Sequence, residues 1–135
     1  MAIEMKVLLD SHILLWALYE PEKLSEEARE IILEPRNDIC VSSASLWEIE
    51  IKHIKRPSSM PYGGRKLAEA ITLAGYRILS LSAEHIRYLD TFAAQGIHND
   101  PFDHVLLSVS KFEQALFITH DELIARYSGA LLLLS

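Results

Sequence analysis

The chain has 135 residues, of which 50% are hydrophobic and 24% charged, enough for one domain with a real core and too apolar for a disordered chain. Its formal net charge of −6 excludes a basic nucleic-acid footprint over the whole surface, but leaves open an acidic cluster that carries metal ions. The single Cys40 permits no intrachain disulfide, the stretch Met1 to Lys6 lacks a leader layout, and no apolar run approaches the roughly 20 residues of a membrane span, so the expectation is a cytoplasmic protein with no membrane contact.

Lys6 to Leu9 is a short apolar run that reads as a strand buried on both faces. It ends at Asp10, and His12 to Tyr19 reads as a helix broken by Pro21. Ser25 caps a second helix, with Glu26 and Glu27 in its first turn and Ala28, Ile31 and Ile32 facing inward. After the turn Pro35-Arg36-Asn37, Asp38 to Ser42 is the second strand. Ser43 to Ile54 is a third helix, with Trp47, Ile51 and Ile54 on one stripe. Residues 55–64 form the one long loop, rich in Pro, Ser and Gly, a mobile flap or an exposed connection. Arg65 to Ala74 reads as a helix stopped by Gly75, Tyr76 to Leu81 as a third strand, and Ser82 as the start of a helix ending near Gln95-Gly96. Asp100 is a natural N-cap and Pro101 suits the first helical position. Phe102, Val105, Leu106, Val109 and Phe112 then mark one apolar face. Leu116 to Thr119 is the fourth strand, His120 to Tyr127 a short helix, and Ala130 to Leu134 a fifth strand. Apolar strands alternating with helices predict a single α/β domain over residues 1–135, with a central parallel sheet of about five strands flanked by helices.

In such a sheet, ligands bind at the carboxyl ends of the strands. Asp10 follows the first strand directly, and Thr119-His120-Asp121 follows the fourth. Glu48 lies within about two turns of the start of the helix after the second strand. Asp103 sits at the edge of an apolar helix face, where a carboxylate needs a cation or hydrogen bonds. Each has an ordinary structural use. Asp10 and Asp121 can cap. Glu48 can close a capping box with Ser45 or pair with Lys52 one turn on. The explanation they share is one acidic pocket. Packed carboxylates raise one another's pKa unless a cation is present, and oxygen ligands suit Mg²⁺ or Mn²⁺.

Four stretches carry a resemblance: Val7-Leu8-Leu9-Asp10-Ser11-His12-Ile13-Leu14-Leu15-Trp16, Ser42-Ser43-Ala44-Ser45-Leu46-Trp47-Glu48-Ile49, His98-Asn99-Asp100-Pro101-Phe102-Asp103-His104 and Ile118-Thr119-His120-Asp121. In this order and spacing they are similar to the PIN-domain family, and within it to VapC-type toxin ribonucleases of toxin–antitoxin pairs. The resemblance implies a metal-dependent endoribonuclease that hydrolyses RNA with Mg²⁺ (or Mn²⁺) and leaves 5′-phosphate and 3′-hydroxyl ends. It implies Asp10, Glu48, Asp103 and Asp121 as the acidic residues, with Asp10 and Asp103 as main ligands and Glu48 and Asp121 holding waters or a second ion. The hydroxyls of Ser11, Ser43 and Thr119 would orient them. A cognate antitoxin that occludes the site and a homodimer are implied as well. The family often has Thr where Ser11 stands and Arg where His104 stands; Ser11 keeps the hydroxyl, whereas His104 gives up a permanent charge. Asp100 is an extra carboxylate, read as a cap.

Other constellations point elsewhere or nowhere. His12, His53, His85, His98, His104 and His120 show no compact zinc spacing, and no Gly-rich phosphate loop is present. Lys52, His53, Lys55, Arg56, Arg65 and Lys66 form the one basic concentration, a solvated helix end or an RNA-backbone contact. Trp16, Leu18 and Tyr19 are core or subunit interface. A phosphoacceptor signalling domain would need a nucleophilic Asp ending a middle strand and a Lys ending a late one; Ser42 and Thr119 stand there instead. A PIN-like module that only binds partners is the remaining alternative, with the four acids counting against it.

Overall fold

The sheet has five strands, β1 (Lys6–Leu9), β2 (Asp38–Ser42), β3 (Arg77–Leu79), β4 (Leu116–Thr119) and β5 (Leu131–Leu134), all parallel, in the order β3-β2-β1-β4-β5. These positions come from a computed structural model that describes residues 4–135; the first part of the Met1 to Lys6 stretch lies outside the described residues. Among the described residues, six helices flank the sheet: α1 (Ser11–Tyr19), α2 (Glu26–Leu33), α3 (Ser43–Lys55), α4 (Gly64–Leu73), α5 (Leu89–Ala93) and α6 (Pro101–Glu113). The alternation of a strand's side chains divides the core in two. Val7, Leu9, Ile39, Val41 and Ile118 point to the side covered by α1, α2 and α4. Leu8, Cys40 and Phe117 point to the side covered by α5 and α6, where they meet Phe92, Leu106 and Leu107. Both faces of β1 are sealed, with Val7, Leu8 and Leu9 all at 0% exposure, which is why its sequence shows no alternation of apolar and polar residues. Among the described residues, no helix is long and apolar enough to cross a membrane.

Four sequence expectations change. The stripe Trp47, Ile51 and Ile54 does not face the core: Trp47 is 61% and Ile54 71% exposed, and α3 packs inward through Ala44, Ser45 and Ile49. The helix expected from Ser82 is broken. His85 is buried with its Nδ1 accepting from Ser82 N and its Nε2 2.7 Å from Glu113 Oε2, and the amide of Tyr88 donates to Ser108, so only a short turn and α5 remain helical. The helix expected over residues 120–127 is a single turn at Ile124–Arg126. The amides of His120, Asp121 and Leu123 are taken by the side chains of Asp10, Thr119 and Asp121. The 55–64 loop is pinned rather than free: His53 Nδ1 lies 2.8 Å from Met60 O, the amide of Gly64 donates to Glu50 at 2.7 Å, and Tyr62 stacks on Tyr19 at 4.1 Å.

Candidate active site

The strand order makes the chain turn outward in opposite directions from β1 and β4, so the crevice of an open α/β sheet falls at their carboxyl ends. Asp10 stands at the first of these ends and Thr119-His120-Asp121 at the second. A helix that feeds a parallel strand runs against it, so the N-terminus of α6 comes to the same edge and brings Asp100 and Asp103 with it. α3, which leaves the carboxyl end of β2, brings Glu48. A cavity of about 200 Å³ results, lined by Asp10, Ser11, His12, Glu48, Lys52, Asp100, Asp103 and Asp121 with Leu106 and Ile124.

Asp10 is 6% exposed, and both of its oxygens accept hydrogen bonds. Its Oδ1 caps α1 by accepting from Ile13 N at 2.8 Å. Its Oδ2 accepts from the Thr119 hydroxyl at 2.5 Å and from the His120 amide at 3.1 Å. Burial still raises its pKa, against the pull of these donors. Glu48 accepts from the Ser11 hydroxyl at 2.6 Å and from Lys52 at 3.3 Å. The N-cap of α3 is Ser42, so Ser45 and Glu48 form no capping box; Glu48 is free to face the cavity. Asp100 is the cap the sequence predicts, accepting from Phe102 and Asp103 amides at 2.9 and 3.4 Å, and it also borders the cavity. Asp103 is pushed up to about 6, first by burial and then by the nearby charges of Asp100 and Glu48, with the His98 hydrogen bond pulling the other way.

Ser11 and Thr119 stand where expected, each donating to an acid of the pocket. Ser43 does not: its hydroxyl accepts from Leu81 N at 2.9 Å and ties the end of β3 to α3, away from the acids. Its neighbour Ser42 ends the strand, and the chain's direction there turns Ser43 toward β3.

Two positions to which the sequence reading gave no role stand behind Asp103, His98 in direct contact and Tyr127 through His98. His98 Nε2 lies 2.7 Å from Asp103 Oδ2 and its Nδ1 2.7 Å from the Tyr127 hydroxyl. His104, 7% exposed, has Nε2 2.9 Å from both that hydroxyl and the backbone oxygen of His98. A carbonyl only accepts, so His104 Nε2 carries a proton. The Tyr127 oxygen then takes that donor, and its own proton points to His98 Nδ1, the shorter of its two acceptors at 2.7 against 3.3 Å. His98 Nε2–H is left to donate to Asp103. Position 104 thus works from inside the fold, holding the backbone and ring that hold Asp103. Their signal in the sequence is slight, because His98 is a loop residue whose partner Tyr127 lies 29 positions away.

Whether a cation suits this pocket is decided by its donors. Five carboxylates border it and Lys52 is the one ammonium among its lining residues. One ligand atom each from His98, Asp103 and Asp121 lie within 4.8 Å of one another. With both nitrogens of His98 engaged by Tyr127 and Asp103, the donors left are carboxylate oxygens, a set that fits a small divalent cation such as Mg²⁺ or Mn²⁺.

The description "PIN domain" matches residues 7–130, and the chain belongs to the PIN-domain family. Family membership sets the phosphoacceptor reading aside. No curated protein matches the chain in sequence. Its fold is similar to that of VapBC2 from Rickettsia felis bound to a DNA fragment from its promoter, with a TM-score of 0.72 at 19% identity over 96% of this chain and 98% of that one. It is similar also to DNA-bound VapBC from Salmonella typhimurium, with 0.69 at 16% identity over 96% and 97%. A domain of a functionally unknown protein from Methanocaldococcus jannaschii matches with 0.60 at 18% identity, over 97% of this chain and 91% of that one.

Proposed function

We propose that this chain is a metal-dependent endoribonuclease, the toxin of a toxin–antitoxin pair. The observation that carries the reading is the meeting of Asp10, Glu48, Asp103 and Asp121 around one cavity of about 200 Å³. Bound there, Mg²⁺ or Mn²⁺ supplies the positive charge that makes water a nucleophile at neutral pH and stabilises a departing oxygen. The chain's part is to hold its acids ready. Asp10 and Asp103 are the main ligands, one fixed by Thr119 and the His120 amide, the other by His98. Glu48, steadied by Ser11, and Asp121 hold water or a second ion. Burial, and after it the charges of Asp100 and Glu48, raise the pKa of Asp103, and a bound cation would favour its charged form.

The toxin role, a cognate antitoxin over the site, a homodimer and a cytoplasmic location belong to the same proposal. They are supported by the motif resemblance and by the likeness of fold to two VapBC complexes. Purified protein incubated with RNA is expected to cut it with Mg²⁺ or Mn²⁺, leave 5′-phosphate ends and stop in EDTA. Cleavage that ignores chelation overturns the proposed chemistry.

A further inference from the structure

A second cavity, of about 460 Å³, opens beside the acidic one and is lined by His12, Lys52, Lys55, Arg56, Ser59 and Met60. His12 and Lys52 line both cavities, so the two are adjacent. We infer that this basic groove holds the phosphate backbone of a single-stranded RNA next to the phosphate being cut. The inference rests on the nuclease reading for why RNA comes here at all.

One face of α3 carries the argument. Glu48, Lys52 and Lys55 follow at spacings of four and seven, so they share a side of the helix, and Arg56 is its C-cap, directly after the last turn. At 1.5 Å per residue, acid and outermost cation stand about 10–12 Å apart along the axis. The same helix thus offers a carboxylate to the acidic pocket and, two turns on, cations outside it. Lys55 and Arg56 are exposed, and among the described residues neither has a carboxylate within ion-pair distance. Lysine near a helix C-terminus is favourable for the helix alone. That does not account for Arg56, which lies beyond the last turn, nor for the cavity wall. The wall is built: Arg56 O accepts from the amides of Ser59 and Met60 at 3.0 Å, and Met60 O is held by His53 at 2.8 Å. A polyanion approaching a chain of net charge −6 and a pocket of carboxylates needs a local positive lane, and this groove is one that reaches the acids. Arg65 and Lys66, on α4, line neither cavity.

The test is binding of a short fluorescent single-stranded RNA to the whole protein in EDTA, at several salt concentrations. Lys55→Gln with Arg56→Gln is expected to weaken binding and to lower the salt slope by about 1.4, at about 0.7 per phosphate contact on a single strand. Arg65→Gln with Lys66→Gln, the same change of charge outside the groove, is expected to leave the slope as it was. Equal losses in both double variants, or loss in neither, overturn the groove. So does a Lys55/Arg56 double variant that keeps RNA binding but no longer binds a polyglutamate peptide, which assigns the surface to an acidic protein partner. Because no metal is present, the two readings separate. RNA held through the groove but never cut with Mg²⁺ defeats the nuclease reading alone; RNA cut with an unchanged salt slope defeats the groove alone.

Discussion

At the scale of single residues, Asp100 and Asp103 share one helical turn and divide its work. Asp100 accepts hydrogen bonds from backbone amides and Asp103 accepts one from a histidine. Asp100→Asn is expected to melt close to the parent, because Asn caps about as well as Asp, whereas Asp100→Ala loses about 1 kcal/mol. Both should still cut RNA, and a folded Asp100→Asn without activity would move that carboxylate into the reaction. Asp103→Asn is expected to lose activity by orders of magnitude and to change the pH dependence of stability. Its carboxyl titrates near 3.8 in the unfolded chain and near 6 in the folded protein, raised by burial. Between about pH 4 and about pH 6 the folded state therefore holds a proton that the unfolded chain has released. The sign follows: this group's contribution to stability is greatest in acid and is lost as pH rises through that window. In metal-free buffer the melting temperature of Asp103→Asn should gain on the parent from about pH 4 to about pH 6 and keep a constant lead above. A difference that does not vary with pH would show that Asp103 titrates normally.

At the scale of elements, the site is a meeting of ends: the close of β1, the close of β4, the first turn of α6 and the middle of α3. The segment after β4 adds a fifth contribution through Tyr127, which fastens His98. His98→Ala is expected to weaken Mn²⁺ binding by about 10–100-fold, the usual cost of removing a group that orients a ligand. His98→Gln should restore much of it, since its amide can donate to Asp103, and Tyr127→Phe should cost about 1 kcal/mol of stability through one buried hydrogen bond. Calorimetric titration with Mn²⁺ checks the first two, and equal affinity in all variants would reduce His98 to a packing residue. Which of these elements could be read beforehand follows a physical division. β1, β2 and β4 have their predicted bounds because short apolar runs next to polar residues need nothing else to define them. The start of α6 was legible from Asp100 and Pro101, whose effects are local. Residues 82–95 and 120–127 were misread as full helices because their amides are claimed by His85, Ser108, Asp10 and Thr119. Ser108 and Asp10 lie 20 and 110 residues from the amides they take, outside any local window of sequence. Asp10 and Asp121 were legible as residues that follow strands and Glu48 as one on the helix after the second strand, while the spacing of Asp103 alone gave no end of the sheet.

At the scale of the whole molecule, the sheet order joins the two strands that flank the site across nearly the full chain. Leu9 pairs with Ile118, and the Asp10 carboxylate meets a hydroxyl 109 residues further on. A chain cut after Gln114 is expected to be unfolded by circular dichroism and thermal melting, since β1 loses a neighbour and β4 and β5 are gone. A cooperative melt from that fragment would show that β1, β2 and β3 suffice. The same pairing sets a clock. Parallel strands so far apart in sequence are slow to join, because a long loop must close before any contact rewards it. At about 5–20 residues per second, a ribosome needs roughly 5–20 s to travel from Asp10 to Thr119, a span of 109 residues. For that interval the growing chain carries its first acid with no partner strand to place it. A nascent chain therefore lacks the assembled pocket until Thr119 and Asp121 have been made and the fourth strand has joined the first.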